Sequence, residues 1–463
     1  MKVERILERA REHFPLSELP DLSPVRGRLE ELGYTEAAVC RRLGVADVNR
    51  IMLCFLPLLR QRLEERTLLD RLIDLFLLGG SLSDAEAVEV FEPHLDLWKR
   101  ARLVVEDCDG RVKSPVDLYP CTGGFFATDR SLAPQFDAHH VYPLGGDSYC
   151  LARGVLRQPV DRVLDLCTGS GVQAVTAARF ARRVVAVDRN ARAVNFARFN
   201  CRLNGVGNVE VRLGDLYAPV RGERFDVVLA NPPFVPSPRR DLGFRDGGDE
   251  VLERIVAGLD THLSEYGRAQ IVTLLVFDGP DYVAKLRGWG AARFDVLVLA
   301  DRSLDVEQYV LGHLDGSQGF EEYSRSMLEW VGYYRSLGIQ RLANGLVALR
   351  RADANPRGEL RDFVRVARPF WEELALALSD EVPEGRIGLS DRVDIVWEGH
   401  QQGRIRRGVL FREGALYLSM DLSRAEKRLL DRLRKGPCPA ASLAEEFGRE
   451  ALLRVLGWGA AVL

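Results

Sequence analysis

The stretch Val163-Leu-Asp-Leu-Cys-Thr-Gly-Ser-Gly171 decides the fold, because it is an apolar run that ends in a glycine turn and opens a helix. A short apolar run bounded by glycine is typical of a buried strand. Gly169 and Gly171 have no side chain and therefore allow the backbone to approach a bound ligand closely. The stretch predicts a strand, a turn and a helix that form one wall of a ligand site.

The region around this stretch alternates between strand and helix patterns, which is typical of a mostly parallel sheet with helices on both faces. The predicted strands are 162–167, 184–188, 209–213, 226–230, 269–277, 294–299 and 345–349. The predicted helices are 171–181, 191–204, 249–264, 280–288 and 320–337. About 45 residues separate the last two strands, and inserts of this length are usually functional or form a lid.

The residues outside the alternating region carry different patterns. Residues 1–80 have helical periodicity, and 81–116 have the helix, helix, hairpin outline of a winged helix, although a plain helical cap with a hairpin fits equally well. The Gly-, Pro- and aromatic-rich segment 119–147 indicates a linker that can fold over the site. The expected organisation is a helical, winged-helix-like N-terminal domain at 1–140, an α/β domain at 141–352 with a helical insert at 303–339, and a smaller α+β domain, winged-helix-like in part, at 353–463.

Composition limits the class of protein. The chain has 463 residues, 46% hydrophobic and 28% charged, which is ordinary for a folded, water-soluble protein. No apolar run reaches the roughly 20 residues of a membrane span, and the N-terminus has no signal-peptide core, so we expect a cytoplasmic protein. A net charge of −3 gives no global sign of a nucleic-acid binder. The eight cysteines are scattered, and His139-His140 has no partner at ligand spacing, so we expect no metal.

A second motif, Asn231-Pro-Pro-Phe234, follows the predicted strand 226–230. Pro232 and Pro233 fix the backbone, so that the Asn231 amide oxygen and the Pro232 carbonyl can converge on one small volume. Two acceptors there can grip the two N–H bonds of a planar amide or amine, hold its nitrogen in line for reaction and favour the charge that develops on it. Phe234 offers the planar group a stacking face. A proline-stiffened turn without chemistry is the structural alternative.

Residues 160–235 resemble the class I S-adenosylmethionine-dependent methyltransferases in four elements that occur in the correct order. In that family an acid and a glycine turn cradle the methionine part of the cofactor, a second acid binds the ribose, and a third motif forms the adenine pocket. The matching residues are, in that order, Asp165, Cys167, Thr168, Gly169, Ser170 and Gly171; Asp188 with the adjacent Arg189; and Asp215 with Leu216. The glycine turn alone also fits a nicotinamide site, because Ala174 stands where that fingerprint takes a third Gly or Ala. The later motifs favour the methyltransferase, with a Rossmann-like, seven-stranded sheet and S-adenosylmethionine as cofactor.

The run Ala230–Pro236 is similar to the motif of methyltransferases that act on exocyclic base amines and on the glutamine amide of release factors. It looks closest to the glutamine type, which carries a proline two places after the aromatic residue. The resemblance implies N-methylation of a protein glutamine or a nucleobase amine, with Asn231 also contacting the cofactor. Release-factor enzymes lack such long flanking regions, so a small-molecule N- or O-methyltransferase and a cofactor-binding regulator without turnover stay open as alternatives. The weaker candidates for substrate contacts are Tyr142, Asp147, Phe234 and Arg302.

Overall fold

The computed structural model describes residues 14, 20–45, 48, 51, 55–131, 139–155, 158–238, 245–246, 249–279, 281–301, 303–314, 319–352, 356–362, 386–389, 393–399, 405–411, 417–420, 423–449, 451–452, 455 and 461–462. For 245–246, 359, 361–362, 393–399, 405–411, 417–420 and 461–462 the description is of the backbone alone. The chain divides into two units. The first comprises Met1–Leu43, Ile51–Ala152 and Gln158–Phe363, and the second comprises Gly44–Arg50, Arg153–Arg157 and Val364–Leu463.

A nine-stranded sheet forms the centre of the first unit. Its strands are β5 (Val160–Leu166), β6 (Ala181–Asp188), β7 (Val209–Leu213), β8 (Phe225–Ala230), β11 (Leu263–Phe277), β12 (Phe294–Ala300), β13 (Leu304–Asp305), β14 (Arg341–Arg351) and β15 (Gly358–Asp362). The order across the sheet is β15-β12-β14-β11-β8-β5-β6-β7, with β13 pairing beside β14. Strands β9 (Val235–Pro236) and β10 (Arg245–Asp246) form a separate parallel pair. Strand β14 runs antiparallel between β11 and β12, whereas the other pairs along that order are parallel. The Rossmann-like, mostly parallel sheet is therefore confirmed. It has nine strands instead of the predicted seven, because β13 and β15 pair with β14 and β12 and were not predicted.

Helices cover the sheet and follow the predicted alternation. They are α7 (Gly146–Gly154), α8 (Val172–Ala177), α9 (Ala191–Leu203), α10 (Glu250–His262), α11 (Tyr282–Gly288), α12 (Val306–Leu311) and α13 (Phe320–Ser336). Helix α8 is shorter than predicted, because β6 already begins at Ala181. The inner strands are buried on both faces: Val227, Val228, Leu229 and Ala230 of β8 have no exposed surface. Burying a Val or Leu side chain stabilises the fold by about 1.5–3 kcal/mol, so these strands anchor the site that forms at their ends.

The N-terminal part of the first unit is mainly helical. It contains α1 (Ser23–Glu31), α2 (Glu36–Leu43), α3 (Leu56–Gln61), α4 (Leu68–Leu77), α5 (Asp84–Phe91) and α6 (Leu95–Arg100), followed by the antiparallel pair β1 (Val105–Glu106) and β2 (Val112–Lys113). Thr67 and Ser83 begin α4 and α5 with capping boxes, in which the side chain at the cap and an acid three residues later satisfy each other's backbone donors. Leu82 forms a β-bridge to Val112, so a third short segment joins the hairpin. The winged-helix outline stays a prediction.

The expectation of a linker at 119–147 is wrong for its first part. Strands β3 (Val116–Cys121) and β4 (Gly124–Asp129) form an antiparallel hairpin in which every residue is buried. Two asparagines four residues apart face this hairpin, Asn200 on α9 and Asn204 at the C-terminal cap of that helix, as the helical period requires. Asn200 exchanges two hydrogen bonds with the backbone of Ala127, and Asn204 does the same with Phe125. The hairpin is therefore attached to the α/β domain through these side-chain hydrogen bonds.

The second unit contains two small sheets and two helices. Strands β16 (Arg386–Leu389), β20 (Cys438–Pro439) and β21 (Ala461–Val462) form one sheet, and β17 (Val393–Gly399), β18 (Ile405–Phe411) and β19 (Tyr417–Met420) form the other. Helices α14 (Arg424–Leu433) and α15 (Ala440–Phe447) bury Leu429, Leu433 and Leu443. Among the described residues of both units, no helix has the length and apolar character that crossing a membrane requires.

Candidate functional site

A cavity of about 530 Å³ opens at the carboxyl ends of the central strands. In open α/β sheets this edge is where ligands bind, and the volume falls in the range of small-molecule sites. The following residues predicted for the site line it: Tyr142, Asp147, Cys167, Thr168, Gly169, Ser170, Asp188, Arg189, Asp215, Leu216, Asn231, Pro232, Pro233 and Phe234. Asp165 and Gly171 stand just outside this lining, and Arg302 lies outside the described residues.

The glycine turn between β5 and α8 takes the left-handed conformation at three residues, Cys167, Gly169 and Gly171. Gly169 adopts this conformation without cost, whereas Cys167 has a side chain that disfavours it. At Gly171 the reason for glycine is packing, because a Cβ there would lie 3.0 Å from the Cα of Ala197 on α9. The backbone of the turn therefore forms part of the cavity wall, and helix α9 packs against its other side.

Asp165 lies beneath the turn and supports it. One carboxylate oxygen accepts hydrogen bonds from the Thr168 hydroxyl at 2.5 Å and from the Ala174 N–H at 3.0 Å. The other oxygen is buried and has no hydrogen-bond partner among the described residues. Burial raises the pKa of Asp165 to about 7, although these two hydrogen bonds oppose the shift.

Asp188 ends β6 and faces the cavity. One of its carboxylate oxygens accepts the N–H of Gly169 and the other accepts the N–H of Asn190, both at 2.9 Å. Burial raises the pKa of Asp188 despite these bonds. Asp188 lines the cavity and Asp165 lies beneath its turn, and burial disfavours the charged form of both carboxyl groups. A ligand that carries positive charge would offset this cost, so the site favours such a ligand.

Asp215 and Leu216 line the cavity after β7, and an arginine that the sequence did not flag joins them. The Arg254 guanidinium of α10 forms an ion pair with the Asp215 carboxylate at 2.5 Å, and both side chains are about half exposed. Leu216 is buried, so its side chain can cover a flat ring. Because the Asp215 carboxylate is paired with Arg254, fewer of its hydrogen-bonding positions are open to a ligand.

Asn231 stands at the other end of the cavity, directly after β8. Its side-chain N–H₂ group donates to the Asp147 carboxylate at 2.7 Å and lies 3.3 Å from the Ser148 hydroxyl oxygen. Because both neighbours lie on the nitrogen side of the amide, its oxygen is left to act as a hydrogen-bond acceptor toward a ligand. The site can therefore hold a group that donates an N–H or O–H.

The predicted insert at 303–339 contributes to the same end of the cavity. Helices α12 and α13 form a cluster with Trp330 and Tyr334, against which Phe234 packs. The Tyr334 hydroxyl donates to the carbonyl of Pro236 at 2.8 Å and so fixes the segment after the Asn231 motif. Trp330 and His313, which lie in the predicted insert, also line the cavity. Their sequence signal was only their position in a long insert.

Gln173 is a further cavity residue that the sequence reasoning missed. It lies on α8 two residues after the glycine turn, and its side chain is buried. Its amide nitrogen donates to the Ser148 carbonyl at 3.0 Å, while its amide oxygen is buried without a hydrogen-bond partner among the described residues. A buried acceptor that lacks a donor in the protein suits a ligand that supplies one.

These features together define a class I S-adenosylmethionine-dependent methyltransferase. Residues 148–285 match the family described as Methyltransferase small domain. A putative protein N5-glutamine methyltransferase from Methanocaldococcus jannaschii is 32% identical over 160 residues, which are 32% of this chain and 80% of that protein. The chain belongs to the methyltransferase family that this archaeal protein represents.

Two bacterial relatives match in the same way. The ribosomal protein uL3 glutamine methyltransferase of Bradyrhizobium diazoefficiens is 34% identical over 31% of this chain and 50% of its own length. The release factor glutamine methyltransferase of Xylella fastidiosa is 37% identical over 23% of this chain and 44% of its own length. This chain thus spans half or less of these two relatives, and most of its own length lies outside the matches.

Proposed function

We propose that the protein transfers a methyl group from S-adenosylmethionine to the amide nitrogen of a glutamine side chain in a protein substrate. The orientation of Asn231 carries this proposal, since its amide nitrogen points to Asp147 and its oxygen is left to accept an N–H. The relatives add support because the three described above are named as glutamine methyltransferases.

The residues at the other end of the cavity fit the cofactor. The Gln173 oxygen, which has no hydrogen-bond partner among the described residues, suits the ammonium group of its methionine part. Asp188 suits its ribose hydroxyls. Leu216 is placed to cover the adenine, and the backbone at Gly169 allows a close approach. When bound, S-adenosylmethionine supplies an electrophilic methyl group. The contacts of Cys167, Thr168, Arg189 and Asp215 belong to the same proposal.

The chain's contribution to the reaction is positioning and electrostatics. An amide nitrogen is a weak nucleophile because its lone pair is delocalised into the carbonyl. The Asn231 amide oxygen and the Pro232 carbonyl would accept its two N–H bonds, hold it in line and favour the positive charge that develops during transfer. Phe234 would stack on the planar amide. No strong base is required beforehand, because the methylated cation loses its proton readily.

A protein substrate fits the charge balance better than a nucleic acid does. Proteins that bind nucleic acids contact phosphates with a basic surface, whereas this chain has 64 Lys and Arg against 67 Asp and Glu. We expect the enzyme to meet its substrate in the cytoplasm.

Tritium transfer tests the proposal. Purified enzyme and S-adenosylmethionine labelled in the methyl group are incubated with a lysate of the source organism, which is then separated into protein, nucleic-acid and small-molecule fractions. We expect label in the protein fraction with the native enzyme and none above background with Asn231→Ala. Label confined to nucleic acid would move the proposal to a base amine, and label confined to the small-molecule fraction would replace it with a small-molecule methyltransferase.

A further inference from the structure

The acidic residue at the start of α7 holds the acceptor-binding amide from behind. We infer that Asp147 is a positioning residue, which fixes the orientation of the Asn231 side chain so that only its oxygen faces the methyl acceptor. The inference deepens the proposed function and rests on it. It also changes the role of Asp147 from the predicted substrate contact to a support for Asn231.

The geometry of the amide carries the inference. An asparagine side chain can be turned by 180° about its last bond with little change in shape, which would exchange its donor and acceptor ends. With its nitrogen toward the cavity, Asn231 would present N–H groups to the N–H groups of a substrate amide. The Asp147 carboxylate only accepts hydrogen bonds, and its oxygen lies 2.7 Å from the Asn231 nitrogen. The turned orientation would place two acceptor oxygens against each other, so Asp147 excludes it.

The chain makes room for this carboxylate at Gly145. A Cβ built on Gly145 would lie 2.4 Å from the Oδ1 atom of Asp147 and 3.2 Å from the ring of Tyr142. Real Cβ atoms do not approach other atoms so closely, so any larger residue there would push the carboxylate away. Gly145 is therefore required by the position of Asp147, and it offers an independent way to displace the carboxylate without removing it.

The same segment ties the acceptor end of the cavity to the cofactor end. The Ser148 hydroxyl approaches the Asn231 nitrogen, and the Ser148 carbonyl accepts a hydrogen bond from Gln173 on the helix that follows the glycine turn. Asn231 is thus held by a segment that is itself fixed to the cofactor helix. This arrangement sets the position of the acceptor nitrogen relative to the methyl donor.

The charge on Asp147 strengthens the effect. A hydrogen bond to an ionised acceptor is stronger than one between neutral groups, and a chain of hydrogen bonds polarises its members. The Asn231 oxygen therefore carries more negative charge than an isolated amide would, which favours the positive charge developing on the acceptor nitrogen. Asp147 acts through Asn231 and does not need to touch the substrate.

Nuclear magnetic resonance of the side-chain amide tests the orientation without any methyl acceptor. The protein is labelled with ¹⁵N in asparagine, and the Asn231 pair is assigned by its absence from Asn231→Ala. We expect its protons to exchange with solvent at least about tenfold faster in Asp147→Ala and in Gly145→Ala than in the native protein. Unchanged exchange in both variants would overturn the inference, whatever the substrate proves to be.

Kinetics with the protein fraction of the lysate as methyl acceptor test the effect of this positioning on turnover. We expect Asp147→Ala to lower kcat by about 100-fold and to leave the dissociation constant for S-adenosylmethionine within about threefold, because the loss is one of positioning. Asp147→Asn keeps an acceptor oxygen and should recover kcat to within about tenfold of native. The residual activity of Asn231→Ala is measured at about 1,000-fold higher enzyme concentration, in line with the loss expected for that variant. In this background Asp147→Ala should cause no further loss.

A matched control separates positioning from stability. Asp281 is another acidic residue at the start of a helix, where it precedes α11 and its side chain accepts the Ala284 N–H as a cap. Asp281→Ala should lower the melting temperature and leave kcat within about twofold. Two results would show that the role of Asp147 is structural and that the inference fails. Asp147→Ala could lower kcat equally in the native and Asn231→Ala backgrounds, or it could lose activity only in proportion to the fraction of protein that has unfolded.

Discussion

The two ends of the cavity are built in different ways. At the cofactor end, Gly169, Asp188 and Leu216 each lie at the end of a parallel strand or in the turn that follows it, so the sheet brings them together. At the acceptor end, only the Asn231 motif follows a strand. Its surroundings come from the start of α7 and from the insert that contains α12 and α13.

This difference separates what the fold provides from what this chain adds. The cofactor end uses the carboxyl edge of the sheet, where backbone N–H groups and acids suit a nucleoside in any protein of this class. The acceptor end depends on hydrogen bonds between distant segments, such as that between Asn231 and Asp147. We therefore expect changes at the cofactor end to act on cofactor affinity and changes at the acceptor end to act on turnover.

The largest expected effect is that of Asn231→Ala. Loss of the amide oxygen should lower kcat by about 1,000-fold, because a preorganised group that stabilises transition-state charge contributes on that scale. Affinity for S-adenosylmethionine, measured by calorimetry, should change little. A comparable loss of cofactor affinity would show that Asn231 holds the cofactor end together and would remove the distinction between the two ends.

Asn200→Ala should weaken the support behind the cofactor end. The Asn200 amide is buried and bonds to the backbone of Ala127 and to the Ser170 carbonyl at 2.7 Å. Its removal leaves buried backbone groups without partners, at about 1–3 kcal/mol for each group. We expect the melting temperature to fall by several degrees. Asn204→Ala, which removes a similar but less buried pair of bonds, is the control and should cause a smaller decrease.

Asp188→Ala should weaken cofactor binding and leave turnover at saturation nearly intact. A hydrogen bond to a charged group contributes about 1.5–3 kcal/mol, which corresponds to a loss of affinity of roughly 10- to 100-fold. Asp188→Asn keeps an acceptor for the Gly169 N–H and should lose less. Calorimetry gives both values, and an affinity unchanged in both variants would place the ribose elsewhere.

The smallest expected effect is a dependence of cofactor affinity on pH. Burial raises the pKa of Asp165 to about 7, and a cationic ligand favours the ionised carboxylate. Affinity for S-adenosylmethionine should therefore rise with pH, by at most about tenfold per unit below that pKa. Titrations between about pH 5.5 and 7.5 measure the slope, and Asp165→Asn should flatten it. An equal slope in the variant would assign the dependence to another group.

The raised pKa of Asp165 has the opposite effect on the stability of the fold, which should fall as the pH rises. The pKa of Asp165 in the folded protein, about 7, lies above the ordinary aspartate value of 3.8, so the folded state binds more protons between those two values. Stability contributed by this group is present at low pH and is lost as the pH rises toward about 7. Asp165→Asn should lessen this decrease in a melting series over pH.

The sequence predicted the sheet well because its strands are buried apolar runs. Strand β8 has no exposed surface from Val227 to Ala230, so its run of apolar residues was unambiguous. The hairpin of β3 and β4 was missed because Pro120 and Gly124 resemble loop residues. Among the described strands, β3 pairs with β4 alone, and a proline is tolerated on the side of a strand that makes no ladder bonds.

Cavity residues could be predicted where they lie at the end of a strand. They could not be predicted where tertiary packing brings them to the cavity. Asp188 and Asn231 could be found from the pattern around them. Gln173 and Arg254 could not, because a glutamine or an arginine on a helix carries no sign of which cavity the helix will face. The role of Asp147 depends on a contact with a residue 84 positions away.

Acid hydrolysis of the labelled product tests the central claim most directly. Protein labelled with tritiated S-adenosylmethionine is hydrolysed in strong acid, which cleaves an N-methyl amide into a carboxylic acid and methylammonium. The hydrolysate is then made alkaline, so that the ammonium ion loses its proton and distils as methylamine. With the native enzyme we predict that most of the protein-bound label is released as methylamine, and that Asn231→Ala yields none above background. Label that stays in a non-volatile product would show that the acceptor is not an amide nitrogen and would contradict the account.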